Sequence, residues 1–160
     1  MKMIADTGPL LSFARAGRFE LIRYVVSEVT IPDAVYEEIV VEGAGKPGAQ
    51  EVQQASWIIR TRVQDRSLVD SLPGKLHHGE REALALAKEL GGVLLVDEYA
   101  VRQEASRLGI EYMGSLRLLK EAKARGLIPA IKPILDELLA AGAYVSETLY
   151  ETFLNDVGEG

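Results

Sequence analysis

The sequence predicts an α/β protein, because short apolar runs alternate with helical stretches along the chain. That alternation gives a mostly parallel sheet covered by helices on both faces. Two runs carry the reading. Met3-Ile4-Ala5 stops at Asp6-Thr7-Gly8-Pro9, and Val93-Leu94-Leu95-Val96 stops at Asp97. Glycines then mark helix ends, most plainly Gly91-Gly92, Gly109 and Gly126.

Taken in order, Lys2 to Ala5 is a first strand. Leu10 to Tyr24 is helical with an interruption near Gly17, and Glu28 to Ile31 is a second strand. Pro32 suits the first position of a helix that runs to about Glu42. Gly43 to Gly48 is a loop by composition, Gln50 to Ala55 a short helix, and Trp57 to Val63 an edge strand. Gln64 to His78 is polar, contains Pro73-Gly74 and reads as a connection. Gly79 to Leu90 is a strong helix and Val93 to Val96 the clearest buried strand. A helix over Glu98 to Leu108, a strand over Ile110 to Met113 and a helix over Ser115 to Arg125 follow. Two tail helices, Ile131 to Ala141 and Ser146 to Asn155, meet near Gly142. Residues 1–130 thus form the α/β body. Residues 131–160 form a helical extension packed on it, whose apolar faces favour a homo-oligomer.

At 160 residues, 48% hydrophobic and 26% charged, the chain suits one domain with a real core. No apolar run approaches the length of a membrane span. Met1-Lys2-Met3-Ile4 enters the first strand without signal-peptide anatomy, so the cytoplasm is the expected compartment. The absence of cysteine excludes disulfides, thiolate zinc sites and cysteine nucleophiles. The only histidines, His77 and His78, are adjacent and poorly spaced for zinc. A net charge of −6 argues against a protein that coats nucleic acid by bulk attraction. Arg117, Lys120, Lys123, Arg125 and Lys132 nevertheless form a basic island broken only by Glu121. Its simplest reading is a solvated helix face.

Four acids point to one edge of the sheet. In a parallel α/β sheet, ligands bind beyond the carboxyl ends of the strands. Asp6 and Asp97 each end a strand, and the helices carrying Glu38 and Glu80 begin at that same edge. On the helix from Gly79, Ala83, Leu84, Leu86, Ala87 and Leu90 make an apolar face. Glu80 lies within that face and Glu82 lies off it. Glu38 flanks the stripe made by Val35 and Ile39, while Glu37 points away. Each acid alone has a plainer explanation. Asp6, Glu80 and Asp97 suit helix N-termini, and Glu38 suits a surface ion pair. Together they form a like-charged cluster that requires a shared positive partner, and a divalent metal supplies it. Glu98 rivals Asp97 for the last position.

The landmarks Ile4-Ala5-Asp6-Thr7-Gly8-Pro9-Leu10-Leu11, Ile31 to Ile39, Gly79 to Ala87 and Leu94-Leu95-Val96-Asp97-Glu98 resemble those of the PIN domain family. Gly114-Ser115-Leu116 before a lysine-rich helix looks like its compact prokaryotic branch. The resemblance implies a three-layer sandwich with the parallel sheet between helices and a Mg²⁺ or Mn²⁺ site made of acids. It puts those acids at Asp6, Glu38, Glu80 and Asp97 or Glu98, with Thr7 beside the first. The chain departs from the commoner pattern at Val96, where many members carry a hydroxyl residue. The family includes toxins with protein antitoxins, RNA-processing enzymes and inactive members. The expected activity is therefore hydrolysis of RNA phosphodiester bonds, with metal held by Asp6, Glu80, Asp97 and Glu98. Glu38 completes the cluster or orients a water. Thr7, Ser115, Arg117, Lys120 and Lys123 are the expected substrate contacts. Arg102 has the charge to steer a strand, though a pair with Glu98 one turn earlier is the plainer expectation. Tyr99 and Trp57 have the aromatic faces to stack bases, with Trp57 read first as core. The rivals are an inactive RNA-binding module and a receiver-like phosphotransfer protein. The latter needs a lysine at the strand ends, and none is evident.

Overall fold

The structure is a computed structural model that describes residues 2–160; Met1, read above with the N-terminal run, lies outside them. The elements are β1 (Met3–Ala5), α1 (Thr7–Arg15), α2 (Phe19–Val26), β2 (Val29–Pro32) and α3 (Asp33–Tyr36), which continues as a π-helical segment (Glu37–Glu42). There follow α4 (Ala49–Gln54), β3 (Ile58–Thr61), α5 (Arg66–Ser71), α6 (His78–Leu90) and β4 (Val93–Leu95). The chain ends with α7 (Tyr99–Arg107), β5 (Tyr112–Met113), α8 (Ser115–Ala124), α9 (Lys132–Ala140) and α10 (Glu147–Asp156).

All five strands are parallel, in the order β3-β2-β1-β4-β5. The chain winds outward from β1 to β3, then returns to β4 on the other side of β1. That reversal leaves a crevice at the carboxyl ends of β1 and β4, the place where such sheets bind ligands. Both faces of the sheet are covered, which is why the central strands read as unbroken apolar runs. Side-chain alternation divides them between two cores. Met3, Ala5, Val93 and Leu95 pack with Leu10, Phe13, Ile22, Leu118 and Leu119. Ile4, Leu94 and Val96 pack with Leu84, Leu86, Val101 and Ala105. Trp57 is buried against Phe19, with ring centroids 5.0 Å apart, as a core residue.

Local details depart from expectation for physical reasons. Helix α1 begins at Thr7 instead of Leu10, since Pro9 in a first turn forfeits no intrahelical bond. Pro32 closes β2, paired with Thr61, and the helix opens one residue later at Asp33. The connection over Gln64 to His78 contains α5. Asp65 caps it by accepting the Leu68 N–H at 3.2 Å, and Val69 and Leu72 anchor it in the core.

Helices α9 and α10 join the first core through Ile134, Leu135, Leu138 and Leu154. Glu159 clasps them to the body. Its carboxylate accepts from Ile131 N–H at 2.8 Å, Lys132 N–H at 2.9 Å and Lys123 Nζ at 2.7 Å. Burial alone would push this carboxyl up, but the Lys123 and backbone hydrogen bonds outweigh it and hold it at about 2. The folded value lies below the ordinary 4.5, so the clasp stabilises fully above that pH and is lost as pH falls toward 2. Glu159→Gln is expected to cost about 1–3 kcal/mol in urea unfolding at pH 7. The difference from wild type should shrink as the pH is lowered through that window.

Candidate active site

The crevice between β1 and β4 is an open cleft of about 630 Å³, bordered by Asp6, Glu38, Glu80, Asp97 and Glu98. Asp6 is the deepest of them, 5% exposed, directly after β1. Its backbone N–H continues the sheet by donating to Leu95 O at 3.1 Å. Asp6 stands at the N-cap of α1, yet its side chain makes no capping hydrogen bond. Burial is the main cause that raises its pKa from 3.8 to about 7. The Thr7 backbone N–H pulls the other way, Glu80 and Glu38 push further up by repulsion, and His77 offsets part of that. Beside it, Thr7 Oγ1 is buried with no hydrogen-bond partner among the described residues.

Glu38 projects from the π segment and is half-buried. Gly79 leaves room for it, since a Cβ there would sit 3.1 Å from Glu38 Oε1. Glu80 opens α6 and reaches back to accept the His77 N–H at 2.7 Å, so one of its oxygens serves the helix end. Asp97 follows the end of β4 and orders the start of α8. Its Oδ1 accepts the Ser115 N–H at 2.7 Å and its Oδ2 accepts the Ser115 hydroxyl at 2.6 Å. A Cβ on Gly114 would approach Asp97 Oδ1 to 2.8 Å, so glycine there admits the carboxylate. Glu98 sits at the N-cap of α7, exposed and without a capping hydrogen bond.

The fold therefore brings Asp6, Thr7, Glu38, Glu80, Asp97, Glu98 and Ser115 to one cleft. It does not bring Arg117, Lys120 or Lys123 there. Arg117 and Lys120 are exposed on α8 outside the cleft, and Lys123 is engaged with Glu159 and with Val157 O at 3.1 Å. Ser115 already donates both its N–H and its hydroxyl to Asp97. Arg102 borders the cleft but forms no pair with Glu98; its guanidinium lies 5.9 Å from the Tyr112 ring centroid. Glu82 is not off the buried face of α6. It is 4% exposed, accepting the Ala34 N–H at 2.9 Å and Arg66 Nη1 at 2.6 Å. Helix α6 is packed on most of its circumference, so a one-face reading misplaced it. Nothing in the residue pattern indicated that the tail enters the site. Tyr144, Ser146 and Leu149, beyond α9, form part of the cleft wall.

The DUF3368 model, a PIN domain, matches residues 2–159. The chain belongs to the PIN domain family. A solved structure of a PilT N-terminus domain protein from the hyperthermophilic archaeon Sulfolobus solfataricus P2 has the same fold. Its TM-score is 0.54 at 14% identity, covering 92% of this chain and 98% of that one. No curated protein matches the chain. Among the described residues no helix is long and apolar enough to cross a membrane. The PIN domain has a nuclease-type fold, and divalent metal is typical of the family.

The residues fit such an ion by chemistry. Carboxylate oxygens are the donors that Mg²⁺ and Mn²⁺ prefer. Among the described residues Asp6 is a buried acid with no ion-pair partner, and Thr7 offers an unpaired hydroxyl at the same spot. Among the described residues, no three His, Asp or Glu side chains already stand close enough to hold an ion. The acids border a common space and remain apart within it. In the metal-free protein Asp6 is therefore a cost. Its folded pKa lies above the ordinary value, so stability is full below about 3.8 and falls as pH rises to about 7. Asp6→Asn should remove that loss. We expect stabilisation of at most about 4 kcal/mol at pH 8 in chelator, and almost none at pH 4, by chemical denaturation.

Proposed function

We propose that this PIN domain is a metal-dependent ribonuclease that hydrolyses RNA phosphodiester bonds with Mg²⁺ or Mn²⁺. The observation that carries the proposal is Asp6, a buried carboxyl without a side-chain cap, repelled by Glu80 and Glu38 at the switch point of the sheet. In this reading Asp6 and Glu80 hold the ion, Glu38 completes the cluster, and Asp97 or Glu98 supplies the fourth acid. Asp97 is the oriented one, fixed by Ser115; Glu98 is the unconstrained one. A bound divalent ion would supply Lewis-acid polarisation of the scissile phosphate and lower the pKa of water. Asp6 keeps its proton up to about pH 7 in the free protein, so ion affinity should rise with pH through that value. Thr7 can steady a carboxylate or a water with its free hydroxyl. RNA is the proposed substrate, in a cytoplasmic setting. A protein antitoxin as partner and self-association through the C-terminal helices belong to the same proposal.

A second reading has its own support. Asp97 has both oxygens committed to Ser115, Glu80 has one on His77 N–H, and no three acids are preassembled among the described residues. These features suit a module that binds RNA without turnover. Thermal melting and RNA cleavage separate the two. Saturating Mn²⁺ should raise the wild-type Tm by several degrees, and Asp6→Asn should abolish that gain and cut cleavage at least about 100-fold. RNA binding without cleavage by the wild type in Mn²⁺ would decide for the module.

A further inference from the structure

Among the described residues the two most exposed large apolar side chains are Tyr144, 87% exposed, and Tyr99, 66% exposed. Both border the acidic cleft. They come from different parts of the chain. Tyr99 opens α7, directly after Asp97-Glu98, and Tyr144 lies in the link between α9 and α10. An exposed tyrosine face is available for contact, and two bordering one cleft offer a surface suited to a flat apolar partner. Tyr99 is already steadied, because Gln103 Nε2 donates to its hydroxyl at 3.2 Å along the helix.

The charges of the cleft say what that partner offers. Five carboxylates border it, and Arg102 is the only lysine or arginine among its described lining residues. Arg117 and Lys120 stand outside, and Lys123 is held by Glu159. Without a bound ion these acids repel phosphates, so a nucleic acid's backbone contacts beyond the one an ion would make add little affinity here. Its bases are uncharged and present π-faces, and stacking on an aromatic side chain contributes about 1–3 kcal/mol per base.

We propose that Tyr99 and Tyr144 form a nucleobase-stacking wall of this cleft, so that an RNA strand is held there mainly by its bases, its phosphates adding little in the absence of an ion. The proposal rests on the nuclease reading above and adds the residues that bind the strand. Bases within a duplex have their faces covered by neighbours, so the wall takes an unpaired segment.

The test is fluorescence anisotropy with the full chain in chelator, where metal-supported cleavage does not compete. The probes are an unpaired oligoribonucleotide of about ten residues and a backbone of equal length without bases. The base-bearing probe should bind at least about tenfold more tightly. Tyr99→Ala and Tyr144→Ala should each weaken it by about 5- to 100-fold and leave the baseless probe unchanged. Tyr→Phe at either position should retain most of the affinity. Log affinity should fall with log salt at a slope shallower than about 2, since few phosphates are neutralised. Equal binding of the two probes, wild-type affinity in both alanine variants, or a steep slope would overturn the proposal. Base-blind binding together with Mn²⁺-dependent cleavage would overturn the stacking wall alone. Failure of every probe to bind, with no cleavage in Mn²⁺, would overturn the nuclease reading as well.

Discussion

The constraint that organises the cleft is a carboxylate set where a parallel sheet reverses its direction of winding. β1 lies at the centre of the sheet, so the residue after it is shut in by β4 on one side and β2 on the other. An ionised group there loses most of its hydration, and the penalty is several kcal/mol without a partner. Among the described residues the fold supplies Asp6 no ion pair, and His77 offsets only part of the repulsion. The fold supplies two more acids instead, Glu38 from the π segment and Glu80 from the first turn of α6. Selection for stability alone would replace such a constellation with apolar residues or an arginine. Its presence at the ligand-binding edge is what supports the proposed divalent ion.

Glu82 is the contrasting case. It is as buried as Asp6 and only two residues from Glu80. Yet one oxygen accepts the Ala34 N–H at the start of α3 and the other meets Arg66, with His78 Nε2 at 3.4 Å. That acid is satisfied by its own protein and its role is structural, because it ties α6 to the helix that leads into Glu38. Asp6 is buried to the same degree without equivalent partners, and Thr7 next to it is also unsatisfied. Two buried acids in one molecule thus divide by their hydrogen bonds. Burial does not separate them; the lack of compensation does, and on it rests the role proposed for Asp6.

The sheet was legible because both its faces are covered. Met3 to Ala5 and Val93 to Val96 read as apolar runs, and each run delivered its following aspartate to the correct edge. The convergence of Asp6, Glu38, Glu80 and Asp97 followed from topology, since strand ends and helix starts in a right-handed α/β winding share an edge. What escaped was whatever depends on packing between helices. The wheel of α6 assumed one buried face, and α6 is buried nearly all round, so Glu82 was misplaced. Helix α5 was hidden by the polarity around Pro73-Gly74, although Asp65 followed by Leu68, Val69 and Leu72 was an available signal. The π winding over Glu37–Glu42 left no mark in the residue pattern. No periodicity could have shown that Tyr144, near the far end of the chain, folds back onto a site begun at Asp6.

Lys123 bears on both the acids and the tail. By composition it belongs to a basic island, and a phosphate contact is the natural thought. In the structure its ammonium is held by Glu159 and Val157 O, which anchors the end of α10 against α8. That clasp, with the Ile131 and Lys132 N–H groups on the same carboxylate, fixes the helices on either side of the link that carries Tyr144. A second cation at the cleft, beside Arg102, would have offset more of the acidic charge on which the proposed ion site rests. Placed at the clasp, it leaves the acidic field intact and still bears on the site through the tail. In the proposed reading, an acidic floor that takes an ion and an aromatic rim that ignores charge suit a strand that stacks its bases on the rim while one phosphate meets the ion. The arrangement of the lysines, as much as that of the acids, makes this geometry self-consistent.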